Sequence, residues 1–209
     1  MVINSLLSGG TERLLSLVAD VVDAGINAIQ IREKYLDFDD QLELAKRLRE
    51  ITLDKSLLFI NNQPEITRLA NADGIQIPEH RISLVLREKR NLTTDQYFSC
   101  SVHSLKTAKS AVAMGADLLL VGTIFESTSH ENLPPAGVNL IKRIKSETTI
   151  PIVGIGGIKA SNAAHVMQSG ASGVAVITEI INSSNPKIAA RDLVKVVQDG
   201  WENRKTMNG

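Results

Sequence analysis

The sequence predicts a single-domain (β/α)8 TIM barrel over residues 1–209, on three observations. Short apolar runs alternate with amphipathic helical patterns eight times along the 209 residues. The runs Asp117 to Val121 and Ile150 to Ile155 lack polar alternation, as parallel strands buried on both faces require. A loose join, Ala113-Met114-Gly115-Ala116-Asp117 and again Met167-Gln168-Ser169-Gly170-Ala171, carries a helix into a buried strand, as a repeating β/α unit must. The rival, an open doubly wound sheet, would want a glycine-rich turn after the first strand, and none is present.

In chain order, Met1 to Leu7 is the weakest apolar segment and the first expected strand. Thr11 caps a helix that runs to Ala24 and stops at Gly25, and Asn27 to Ile31 is strand-like. Asp37 to Thr52 is helical, with Leu44, Ala45 and Leu48 on its inner face. Leu57 to Ile60 is apolar, Pro64 opens a short helix to Ala70, and Ile75 to Ile77 is stopped by Pro78. A short helix is expected over Ile82 to Arg90. Tyr97 to Val102 is the next strand, and Ser104 caps a helix to Met114. Asp117 to Val121 leads into a polar loop from Glu126 to Pro135, and the segment Glu126 to Ala136 is expected, from its length, to close over a ligand. Helices follow over Val138 to Glu147, Ala163 to Ser169 and Pro186 to Trp201, the first two followed by strands at Ile150 to Ile155 and Gly173 to Ile177.

Composition narrows the function. With 23 basic and 23 acidic residues, no nucleic-acid or anionic-membrane partner is implied. The lone cysteine, Cys100, rules out a disulfide framework and a cysteine metal site. Residues 1–10 lack a signal-peptide pattern and no apolar run reaches membrane-spanning length, so a cytoplasmic protein is expected. Barrels of this size often pair, which makes a homodimer the default assembly.

Active sites of such barrels lie at the C-terminal ends of the strands. Those ends carry Gln30, Arg32 and Lys34; Asn61 and Asn62; Gln76; His103; Thr123; Ser127, Ser129 and His130; Gly156 and Gly157; Ile177 and Thr178. Glycines at a strand end let backbone N–H groups approach an anion closely, and the loops after strands 7 and 8 commonly hold phosphate. Arg and Lys suit phosphate or carboxylate. Acids are few, and Glu33, between Arg32 and Lys34, should point away from them. The mouth therefore reads as an anion site with no built-in metal centre.

Six segments in order, Ile29-Gln30-Ile31-Arg32-Glu33-Lys34, Phe59-Ile60-Asn61-Asn62, Asp73-Gly74-Ile75-Gln76-Ile77-Pro78, Ser101-Val102-His103-Ser104, Val121-Gly122-Thr123-Ile124-Phe125-Glu126-Ser127 and Val153-Gly154-Ile155-Gly156-Gly157-Ile158, resemble the thiamine-phosphate synthase/TenI family. The resemblance implies a barrel that binds a thiazole phosphate. It also implies one of two chemistries. The synthase joins an aminopyrimidine diphosphate to the thiazole phosphate and needs Mg2+, held by an Asp after the strand-3 Asn and another after strand 4. Here Asn62 stands at the first position, and the strand-4 loop, Pro78-Glu79-His80-Arg81, has no Asp. The TenI branch aromatises a thiazole carboxylate phosphate by moving a proton and needs no metal. These departures make a metal-independent thiazole tautomerase the expected function, with no cofactor and a phosphorylated thiazole as its ligand. The synthase, with Mg2+, is the alternative, and a non-catalytic ligand-binding protein the second.

The TenI pattern expects a histidine after the strand-6 glycine, where this chain has Thr123. His130 or His103 would then move the proton, because a threonine hydroxyl cannot shuttle one at neutral pH. Gln30, Arg32, Lys34, Asn61, Asn62, Gln76, Ser127 and Ser129 are the expected substrate-binding residues. Gly156, Gly157, Ile177 and Thr178 are the expected phosphate-binding residues.

Overall fold

In a computed structural model, which describes residues 1–84, 93, 95–127 and 134–208, eight parallel strands neighbour one another in sequence order. They are β1 Val2–Ile3, β2 Ala28–Ile31, β3 Leu57–Asn61, β4 Gly74–Ile77, β5 Tyr97–Val102, β6 Leu118–Val121, β7 Ile152–Ile155 and β8 Gly173–Ala175. Val2 N donates to Val176 O at 3.0 Å, so the last strand's end meets the first and the barrel closes. Each strand from β2 on follows a helical crossover, as parallel pairing demands. The exception is the link from β4 to β5, where a 3-10 turn spans Glu79–Leu84 and the rest of the expected helix lies outside the described residues.

Two edges differ from the sequence expectation. The first strand is only two residues long, because Asn4 caps a short helix, Ser5–Ser8, by accepting Leu7 N on its side chain. The last strand stops at Ala175, short of the expected Ile177, and a second short helix, Thr178–Ile181, follows it. The final helix, Pro186–Asn208, also runs past Trp201.

The repeated join seen in the sequence has a physical reason. Asn71, Gly115 and Gly170 each take a positive φ (49°, 84° and 99°), ending the helix before them. Two residues later comes a side chain that accepts the amide of the preceding strand. Asp73 Oδ2 takes Leu58 N at 2.6 Å, Asp117 Oδ2 takes Phe98 N at 2.8 Å, and Ser172 Oγ takes Ile152 N at 3.4 Å. The join therefore stops the helix and ties down the N-terminal end of the neighbouring strand.

Strand alternation sorts the interior into two layers. Ile29, Ile31, Leu58 and Ile60 pack outward against helical residues such as Leu14, Val18, Leu44 and Leu48, all essentially buried. Each such side chain contributes about 1.5–3 kcal/mol relative to exposure. The inward layer is divided. Val2, Leu120 and Ala175, with Val153, Ile155 and Ile177 packed on them, make one wall aliphatic. The register Gln30↔Phe59, Asn61↔Gln76 and Gln76↔Ser99 places amides and hydroxyls on the opposite wall. Among the described residues, no helix is long and apolar enough to cross a membrane.

Candidate functional site

A cavity of about 570 Å3 opens at the C-terminal ends of the strands, with the aliphatic wall as part of its floor. Gly156, Gly157, Ile177 and Thr178 line one side. The amides of these four residues have no acceptor among the described residues. Unmatched amides at a cavity surface are what an anion needs. Lys159 adds a positive charge at the same side.

The two glycines are also required by packing. A Cβ on Gly156 would come within 2.5 Å of Thr123 Cγ2, and one on Gly157 would run into Glu126 O. Phe125 N donates to Gly156 O at 3.0 Å, which holds the turn after β6 against the turn after β7. Close packing and free amides thus come from the same missing side chains. The turn is kept in shape by Asn162, whose Nδ2 donates to Gly157 O at 3.0 Å and whose Oδ1 accepts Lys159 N at 2.8 Å.

Across the cavity stand Arg32 and Lys34 from the end of β2, with Asn61 and Asn62 from the end of β3. Glu33 is buried and turned to the N-terminal segment, as expected, where its Oε1 accepts Ser5 N at 2.5 Å. Glu79 Oε2 accepts His103 N at 2.6 Å and lies 2.5 Å from His103 Nδ1, within hydrogen-bonding distance. Asn62 Oδ1 accepts Arg81 Nη1 at 2.7 Å.

The structure brings most of the expected site residues to this one cavity. Gln30, Arg32, Lys34, Asn61, Asn62, His103, Thr123 and Ser127 all line it with the four amide residues. Gln76 does not. It lies one layer deeper, almost fully buried, and its Nε2 donates to Ser101 Oγ at 2.9 Å. Ser101 is the residue that reaches the cavity, and strand alternation from Ser99 would have found it. Ser129 and His130 lie outside the described residues, as does most of the loop expected to close over the ligand. Lys159, His80 and Glu179 line the cavity without having been expected. Each lies a few residues past a strand end, His80 and Glu179 in short helical segments whose path cannot be read from local pattern.

A hard divalent cation does not fit the donors at the ends of β3 and β4. Such an ion wants several oxygen ligands, carboxylates above all. Asn62 offers a neutral oxygen that accepts Arg81, and Glu79 has one of its two oxygens against His103. Among the described residues, no group of three or more His, Cys, Asp or Glu converges as a metal site would need.

This barrel resembles known proteins throughout its length. It is 37% identical to the thiamine-phosphate synthase of Moorella thermoacetica over 90% of both chains. It is 33% identical to that of Haloarcula marismortui over 88% of this chain and 89% of the relative. The thiamine phosphate pyrophosphorylase of Pyrococcus furiosus superposes with a TM-score of 0.86 at 27% identity, covering 95% of each chain. These relatives overturn the expected thiazole tautomerase, since those at 30–37% identity carry the synthase name. The expectation rested on two missing acids, and missing metal donors do not by themselves choose the reaction that the rest of the cavity supports. Residues 1–180 match the thiamine monophosphate synthase (TMP-TENI) family model, and the chain belongs to that family.

Proposed function

We propose that this protein joins an aminopyrimidine diphosphate to a thiazole phosphate, as a thiamine-phosphate synthase. The observation that carries the reading is a single cavity with two anion-attracting sides. Free amides and Lys159 stand on one side, Arg32 and Lys34 on the other, with an aliphatic floor within the same cavity. Two phosphorylated heterocycles meeting over an apolar surface need that arrangement. The thiazole phosphate belongs at Gly156, Gly157, Ile177 and Thr178, and the diphosphate at the ends of β2 and β3.

The chemistry suits the side chains. The bond between the pyrimidine methylene carbon and the diphosphate oxygen breaks, and its electron pair leaves with pyrophosphate. The thiazole nitrogen lone pair then bonds to the carbon. No proton is transferred in either event, so Thr123 in place of a histidine is no obstacle, and His103 needs no acid–base role. What the protein must supply is alignment and charge opposite the leaving group. The donor set argues against a tightly held metal, so no step is assigned to one.

The test is incubation of purified protein with hydroxymethylpyrimidine diphosphate and thiazole phosphate, in Mg2+ and in EDTA. Equimolar thiamine phosphate and pyrophosphate are the expected products. Thiazole phosphate binding with no product in either medium would replace the synthase with a ligand-binding member of the family.

A further inference from the structure

Arg81 and Asn62 are 19 residues apart and meet where β3 and β4 end, Nη1 to Oδ1 at 2.7 Å. A guanidinium has only donors, so the amide oxygen must face it. Asn62 lines the cavity and Arg81 does not. The oxygen is therefore committed to a group outside the lining, and Nδ2, with two N–H donors and no acceptor among the described residues, is left for a ligand. The backbone of Asn62 is held as well, with φ at 58° and its N donating to Gln76 O at 2.9 Å. At the neighbouring strand end, Glu79 Oε2 is occupied by His103.

We infer that this corner holds the diphosphate oxygens directly, through Asn62 Nδ2 oriented by Arg81, rather than through a divalent ion held by carboxylates. The inference rests on the coupling reaction proposed above and names how its leaving group is bound. The polarity of the corner is the reverse of a metal site, since the amide donors of Asn62 face the ligand while its oxygen and Glu79 Oε2 accept from protein N–H groups. The guanidinium also polarises the amide it holds, which strengthens the N–H groups on the other side. Asn62 is thus a binding residue and Arg81 a positioning residue.

Titration of inorganic pyrophosphate into the full-length protein by calorimetry tests this, in EDTA and in excess Mg2+. Affinity should agree within about threefold between the two media, because direct donors need no bridging ion. Asn62→Asp exchanges an NH2 for a charged oxygen in a backbone conformation that Asp tolerates. It should bind at least about tenfold more weakly in EDTA and regain affinity with Mg2+. Arg81→Met should weaken binding in EDTA about fivefold, with Arg81→Lys restoring part of the loss, at unchanged thermal midpoints. Should Asn62→Asp fail to fold, the two Arg81 variants decide on the same readout.

Wild-type binding that appears only with Mg2+ overturns the inference and leaves the coupling reaction standing. Equal affinity of wild type and Asn62→Asp in EDTA also overturns it, as does an absence of binding in both media. Tight binding in EDTA by a protein that makes no thiamine phosphate would remove the coupling reaction and keep this anion corner.

Discussion

Asn162 bonds both ends of the turn that follows β7, donating to Gly157 O at 3.0 Å and accepting Lys159 N at 2.8 Å. It touches no reacting group, yet it holds the glycine amides in line. Asn162→Ala should weaken thiazole phosphate binding about tenfold and lower stability by about 1–2 kcal/mol. Calorimetry and urea unfolding measure the two effects. Undiminished affinity in a destabilised variant would show that the turn holds its shape without the side chain.

Gly157 and Gly137 both take a positive φ, 61° and 68°, but only Gly157 is crowded. Gly157→Ala should cost about 3 kcal/mol, since the new Cβ meets Glu126 O as well as an unfavourable backbone region. Gly137→Ala, with nothing within 4 Å of its Cβ, should cost only about 1–2 kcal/mol. Equal losses in chemical denaturation would mean that backbone conformation alone sets the requirement.

Asp73 lies at the opposite end of the barrel from the cavity, bonded to Leu58 N and to Arg49 Nη1, both at 2.6 Å. The pair is only partly exposed, with side-chain accessibilities of 13% for Arg49 and 30% for Asp73. Asp73→Ala leaves a largely buried guanidinium without its carboxylate and should destabilise by about 2–3 kcal/mol. Turnover per folded molecule should stay within about twofold of wild type, because the N-terminal face of such a barrel serves stability rather than chemistry. A large fall in turnover at full folding would place this end of the barrel in the mechanism.

Lys159 and Arg32 stand on different sides of the cavity. Lys159→Ala should reduce thiazole phosphate affinity about tenfold and spare pyrophosphate, whereas Arg32→Ala should do the reverse. Both effects should shrink as salt is raised. If each variant loses both ligands alike, the two-sided assignment fails.

Much of the site was legible because the signals are local. The join at Gly115-Ala116-Asp117 and the turn at Gly156-Gly157 record backbone conformations that few residues besides glycine adopt cheaply, and a strand of period two brings Gln30 and Arg32 to the same wall. Gln76 was misjudged by one layer, because the stagger between β4 and β5, which puts Ser101 above it, is not written in either strand. The reaction was misjudged for a related reason. Asn62 and the strand-4 loop showed which acids were missing, but not what had come to stand beside the amide.

The sequence by itself determined the barrel, the end of it where the cavity opens, and the cationic and amide-rich residues that line that cavity. These follow from hydrophobic period, helix stops and charged residues at strand ends, each set within a window of about fifteen residues. Only the tertiary structure decided that Asn62 faces Arg81, that Glu79 is occupied by His103, and that one wall of the interior is aliphatic. Those are relations between segments distant in the chain. Barrel closure and strand stagger set them, and no local preference encodes either.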